Sequence, residues 1–162
     1  MKRRTFVSLM AATMPFLAGR VHAASEGPRP RADRITLAEE EWRQRLPRER
    51  YLVLREEDTE PSFSSPLNHE KRVGTYVCAG CELPLFSSDM KFDSGTGWPS
   101  FFDALPDAIE TKIDFRLILP RTEYHCARCG GHQGHVFKDG PKPTGLRYCN
   151  NGLALYFREN WT

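Results

Sequence analysis

Apolar positions along the 162-residue chain fall into three patterns. Residues 6–18 form a nearly continuous apolar run, with Lys2, Arg3 and Arg4 before it and Arg20 and the small-residue sequence Val21-His22-Ala23 after it. In LAEEEWRQRL, residues 37–46, the apolar positions are sparse: Leu37, Trp42 and Leu46 are spaced for one face of a short helix ending before Pro47. Thr36 followed by Glu39 has the form of a capping box and sets the expected start of that helix. Residues 51–54, Tyr-Leu-Val-Leu, read as a strand. Beyond them helical periodicity gives way to short β-branched and aromatic segments bounded by turn residues, at 75–77, 109–113, 122–125 and 153–157. These predict a mostly antiparallel β core.

The first pattern is an address rather than a structural element. A basic start, an apolar run too short for the roughly 20 residues of a spanning helix, and a small-residue cleavage signal make residues 1–24 a signal peptide. The paired arginines before Thr5-Phe6-Val7 suggest the twin-arginine route, which exports folded proteins, and the expected destination is the bacterial periplasm. Residues 25–34, SEGPRPRADR, are polar and proline-bearing and read as a linker, leaving 35–162 as one domain. Removing the four bases of the signal from the chain's 23 leaves 19 against 21 acids, a net −2. A slightly acidic domain lacks the cationic excess of a non-specific phosphate binder, so no nucleic-acid partner is expected. Nor is stable membrane insertion, and the expected state is a monomer.

One element recurs, Tyr76-Val77-Cys78-Ala79-Gly80-Cys81 echoed by Tyr124-His125-Cys126-Ala127-Arg128-Cys129. Two Cys-x-x-Cys turns, each ending a predicted strand, can aim four sulfurs at one ion and fill the tetrahedral shell of structural zinc. Redox pairs and structural disulfides are the alternatives, but no thioredoxin-like βαβ pattern surrounds either pair. Zinc loaded before export, bound by on the order of 10 kcal/mol, would also protect the thiolates from oxidation.

Cysteine arithmetic then isolates Cys149, in LRYCNNG. A lone cysteine is often an inert buried hydrophobe, and a thiol of ordinary pKa is only about 3% thiolate at pH 7. Its flanks argue for more. Arg147 and Asn151, two residues to either side, would share its face in an extended segment and offer a positive charge and an amide donor. GTGWPSF, residues 95–101, sets Trp98 between glycine turns and a proline, as suits a pocket wall. In GGHQGHVF, residues 130–137, His132 and His135 are three apart; with four cysteines already satisfying zinc, acid-base histidines are the better reading than a metal pair.

The ordered set CAGC, KFDSGTGWPSF, CARCGGHQGHVF and DGPKPTGLRYC-x-N resembles the B-type methionine sulfoxide reductases, which reduce the R epimer of methionine sulfoxide in proteins. The resemblance spans about residues 35–157. It implies a mainly β fold of two antiparallel sheets with short N-terminal helices, stapled by a four-cysteine zinc site of Cys78, Cys81, Cys126 and Cys129. It implies Cys149 as nucleophile, Trp98 as the indole receiving the substrate S-methyl group, and His132, His135, Arg147 and Asn151 as polar groups around the sulfur. Thiolate attack on a sulfoxide requires a proton at its oxygen, supplied by His135 with His132 or a bound water, and leaves Cys149 as a sulfenic acid.

The chain also departs from that pattern. Thr96 stands where many relatives carry a resolving cysteine, so an external thioredoxin-like or other thiol is the expected reductant. Asn150 replaces a usually aliphatic residue, and Pro61-Ser62 replaces Arg-Pro before Phe63. Two other classes compete. A non-catalytic zinc-ribbon-like module would need neither a free thiol nor the histidines, and a thiol-disulfide oxidoreductase would keep its Cys-x-x-Cys pairs metal-free.

Overall fold

The computed structural model describes residues 31–115 and 119–160; the stretch read as a signal peptide and most of the one read as a linker lie outside them. Among the described residues two short helices, α1 (Glu39–Arg45) and α2 (Arg48–Glu56), precede nine strands. These are β1 (Gly74–Cys78), β2 (Pro84–Ser87), β3 (Lys91–Phe92), β4 (Ser100–Phe101), β5 (Ile109–Asp114), β6 (Arg121–Cys126), β7 (His132–Phe137), β8 (Arg147–Asn150) and β9 (Leu155–Glu159). They form two sheets, β2-β1-β9 and β3-β4-β8-β7-β6-β5, with antiparallel pairing at each recorded neighbour pair. No helix among the described residues is long and apolar enough to cross a membrane.

An aromatic cluster joins the sheets. Phe86 of β2 stacks on Phe101 of β4 at 4.1 Å between centroids, and Tyr76 of β1 meets Phe101 edge-on at 4.9 Å. Tyr124 of β6 and Tyr148 of β8 are T-shaped at 5.3 Å. Tyr76 and Tyr124, the tyrosines of the recurring element, therefore face one core from opposite sheets.

Three expectations are corrected. Residues 51–54 are helical, not a strand: Pro47 opens α2, Glu57 closes it in the left-handed region, and Tyr51, Val53 and Leu54 are buried. Tyr and Val lower helix propensity by at most about 0.7 kcal/mol each, whereas burying each large side chain gains about 1.5–3 kcal/mol. Packing wins. The first helix begins at Glu39 with Ala38 as its cap, not at Thr36. Glu41, not Glu39, reaches back, its carboxylate accepting from the Ala38 N–H at 2.9 Å. Trp42 and Leu46 are buried as the spacing predicts. The last predicted strand starts two residues late, because residues Gly152–Ala154 form a 3-10 turn.

Residues 31–34, at the end of the stretch read as linker, lie against the domain. Arg128 Nε bonds Asp33 at 2.8 Å, and Arg31 donates to the Asp107 carbonyl at 2.9 Å.

Candidate active site

The recurring element folds the same way twice. β1 ends at Cys78 and β6 at Cys126, and in each turn a later N–H, of Glu82 or Gly130, donates to the first cysteine's carbonyl at 2.8 Å. Both donors have positive φ, 60° and 68°. Leu54 of α2 covers the cluster, and Gly131 admits it: a Cβ there would stand 3.0 Å from the leucine side chain.

The four ligand sulfurs lie within 4.8 Å of one another. The closest recorded contacts cross between turns, Cys78 to Cys129 at 3.6 Å and Cys81 to Cys126 at 3.5 Å. All are unbridged thiols, and the approach matches the roughly 3.8 Å edge of a tetrahedron with 2.3 Å metal–sulfur bonds. Without a cation the sulfurs compete for protons. Hydrogen bonding to Cys126 pushes Cys78 and Cys129 up and Cys81 down, and Cys126 is lowered by Cys129. A dication removes that conflict by taking all four as thiolates. The residues fit a closed metal site.

Cys149 lies apart, on β8 between β4 and β7, paired in register with Ser100 and with His135. It lines a cleft of about 130 Å³ with Trp98, His135, Asn151, Arg121 and Phe137. Burial pushes its thiol above the ordinary range; the Arg147 charge and the Thr96 hydroxyl oppose this. Arg147 is itself shared, gripping Asp139 through Nε and Nη2 at 2.8 Å each and lying over the Phe137 ring at 4.3 Å. Asn151 lines the cleft, but its amide is spent on the scaffold: Nδ2 donates to the Gln133 carbonyl at 3.2 Å and Oδ1 accepts from the Glu60 N–H at 3.1 Å. Both ends of the amide thus help hold the site together.

The histidines differ. His132 is buried; its Nδ1–H donates to Glu123 at 2.8 Å, and its Nε2 has no hydrogen-bond partner among the described residues. Burial lowers its pKa, with Glu123 opposing. His135 faces the cleft, and its Nε2 bonds Asp114 at 2.9 Å, which also takes Arg121 at 2.7 Å. The rings meet edge-on at 5.6 Å.

Sequence reasoning missed Glu60. Its carbonyl accepts the Trp98 indole N–H at 3.1 Å, its N–H holds Asn151, and its buried carboxylate takes the N–H groups of Gly152 and Leu153 at 2.6 and 2.9 Å. One residue thereby fixes the indole and the turn after Cys149. No spacing could have revealed it, because its partners lie 38 and 91–93 residues away. Asp114 and Arg121, behind His135, were missed for the same reason.

A family profile described as "SelR domain" matches residues 46–159. The chain is 53% identical over 124 residues to "Peptide methionine sulfoxide reductase MsrB" of Bradyrhizobium diazoefficiens, covering 76% of this chain and 89% of that protein. The chain belongs to the MsrB family. Proteins of the same name from Pseudomonas putida (54% over 121 residues, 74% and 90% covered) and Methanosarcina barkeri (52% over 125 residues, 76% and 88% covered) are similarly close. MsrB membership does not favour a non-catalytic zinc-ribbon module.

Proposed function

We propose that this chain is a peptide-methionine (R)-S-oxide reductase, returning methionine (R)-sulfoxide in oxidised proteins and peptides to methionine. One observation carries the reading: the cysteine left outside the metal cluster lines a single cleft with Trp98 and His135, in a chain about half identical to proteins named peptide methionine sulfoxide reductase. Cys149 attacks the sulfoxide sulfur as thiolate while the sulfoxide oxygen takes a proton. Trp98 offers the S-methyl group a flat apolar wall, held by Glu60. His135 is the proton donor, backed by Asp114. His132 is held towards its neutral form with Nδ1–H committed to Glu123, so its other nitrogen presents a lone pair and accepts.

Methionine departs and Cys149 keeps the oxygen as a sulfenic acid. One external thiol condenses with it, releasing water and forming a mixed disulfide, and a second thiol frees Cys149 as the reductant's own disulfide forms. Thr96 at the place of a resolving cysteine supports a thioredoxin-like or other thiol from outside. Cys78, Cys81, Cys126 and Cys129 would hold zinc, whose filled shell staples the fold and leaves no position for substrate. The basic, apolar start of the chain supports export to the periplasm, checked by the N-terminus of the exported protein: one that still begins at Met1 would exclude cleavage.

The test is reduction of a methionine sulfoxide peptide resolved by epimer, with Cys149→Ser as control. Consumption of the R epimer alone, lost in the control, is expected. Preference for the S epimer, or activity surviving the substitution, would overturn the reading.

A further inference from the structure

Gln133 of β7 and Asn150 of β8 are both completely buried, Asn150 at the wall of the cleft beside Cys149. A buried amide left unpaired costs about 1–3 kcal/mol, so their partners decide whether they can stay. Tyr124 donates its hydroxyl to Asn150 Oδ1 at 2.7 Å. Asn150 Nδ2 donates to the Asn151 carbonyl at 2.7 Å and reaches Gln133 Oε1 at 3.5 Å. Gln133 Nε2 in turn donates to Cys78 Sγ at 3.5 Å and to the Gly131 carbonyl at 3.4 Å. An unbroken polar chain thus crosses an otherwise apolar core, from a sulfur of the four-cysteine cluster to the residue next to Cys149.

Asn150 is one of the positions where the sequence departs from the resemblance, an aliphatic residue being the usual one there. An amide is tolerable at such a place only with partners, and Gln133 and Tyr124 supply them. We propose that Gln133 and Asn150 are positioning residues that couple the metal–thiolate cluster to the strand bearing the nucleophile. Gln133 donates to the bound thiolate, where a hydrogen bond to a charged acceptor is strongest, and Asn150 fixes the orientation in which Gln133 can do so. The inference rests on the metal reading above.

The test measures metal content and release of metal to a chromophoric chelator, with thermal melting as a fold control. The variants are Gln133→Leu, Asn150→Val and the triple Q133L/N150V/Y124F, which removes every side-chain partner together and leaves none unpaired. Each single variant should release metal about tenfold faster than the native chain. The triple variant should melt close to the native chain yet still release metal about tenfold faster, which a purely structural role would not produce. Native release from a folded triple variant would overturn the proposal. So would an Asn150→Val chain that keeps its metal while Gln133→Leu does not, because Gln133 would then act alone. A native chain without stoichiometric metal would instead sink the metal reading. If the single variants fail to fold, the triple variant carries the test.

Discussion

At Cys149 two opposing effects meet: burial disfavours the thiolate, Arg147 and Thr96 favour it, and burial is the larger. The resting group is a thiol, and its pH-dependent reactivity reports that balance. Alkylation of Cys149, followed by peptide mass spectrometry, should have its midpoint above the ordinary thiol range, with rate rising as pH rises towards it. Arg147→Gln removes the favourable charge and should raise the midpoint further, slowing alkylation at pH 8 about tenfold. An unchanged profile would mean that Asp139 neutralises Arg147 entirely. The histidines separate by a different measurement. His135→Gln should slow single-turnover sulfoxide reduction by about 10²-fold or more, the usual worth of a general acid, and an unchanged rate would exclude it as donor. The cleft residues Cys149 and Trp98 and the cysteine turns were legible in the sequence because each sits in a compact motif. The tuning groups Glu60, Asp114 and Arg121 were not, because they meet their partners only through the fold.

Among the elements, the pairing of β7 with β8 matters most, since it sets His135 opposite Cys149. Gly134 permits that approach: a Cβ there would stand 1.9 Å from the Cys149 carbonyl oxygen. Backbone cannot yield as a flexible side chain can. Gly134→Ala should therefore cost at least about 3 kcal/mol, read by urea unfolding, and any folded fraction should lose most of its activity as the strands part. Native stability and activity would show that the register can shift without harm. Neither strand was visible as such beforehand, because GGHQGHVF and LRYCNNG carry glycine and polar groups in place of alternating apolar residues. Residues 51–54 failed in the opposite direction: their composition suits a strand, but they form a helix that seats Leu54 against Gly80 and Gly131 of the cysteine turns.

For the whole molecule, the two cysteine turns arise at the ends of strands from different sheets, so a bound ion clamps one sheet to the other. Removing the ion with a strong chelator should lower the melting temperature and raise the number of titratable thiols from one to five, given that all five cysteines are unbridged. A chelated chain that melts like the native one would make the cluster dispensable. The clamp joins residues 51 apart in sequence, a loop whose closure by a covalent bridge would be worth about 4 kcal/mol. A disulfide could have supplied a similar constraint, but the thiols that regenerate Cys149 under the proposed function would also attack it. Thiolates closed around an ion give such reductants no sulfur–sulfur bond to open. On that proposal the chain can be bathed in the reagent its turnover would consume without being unlaced by it.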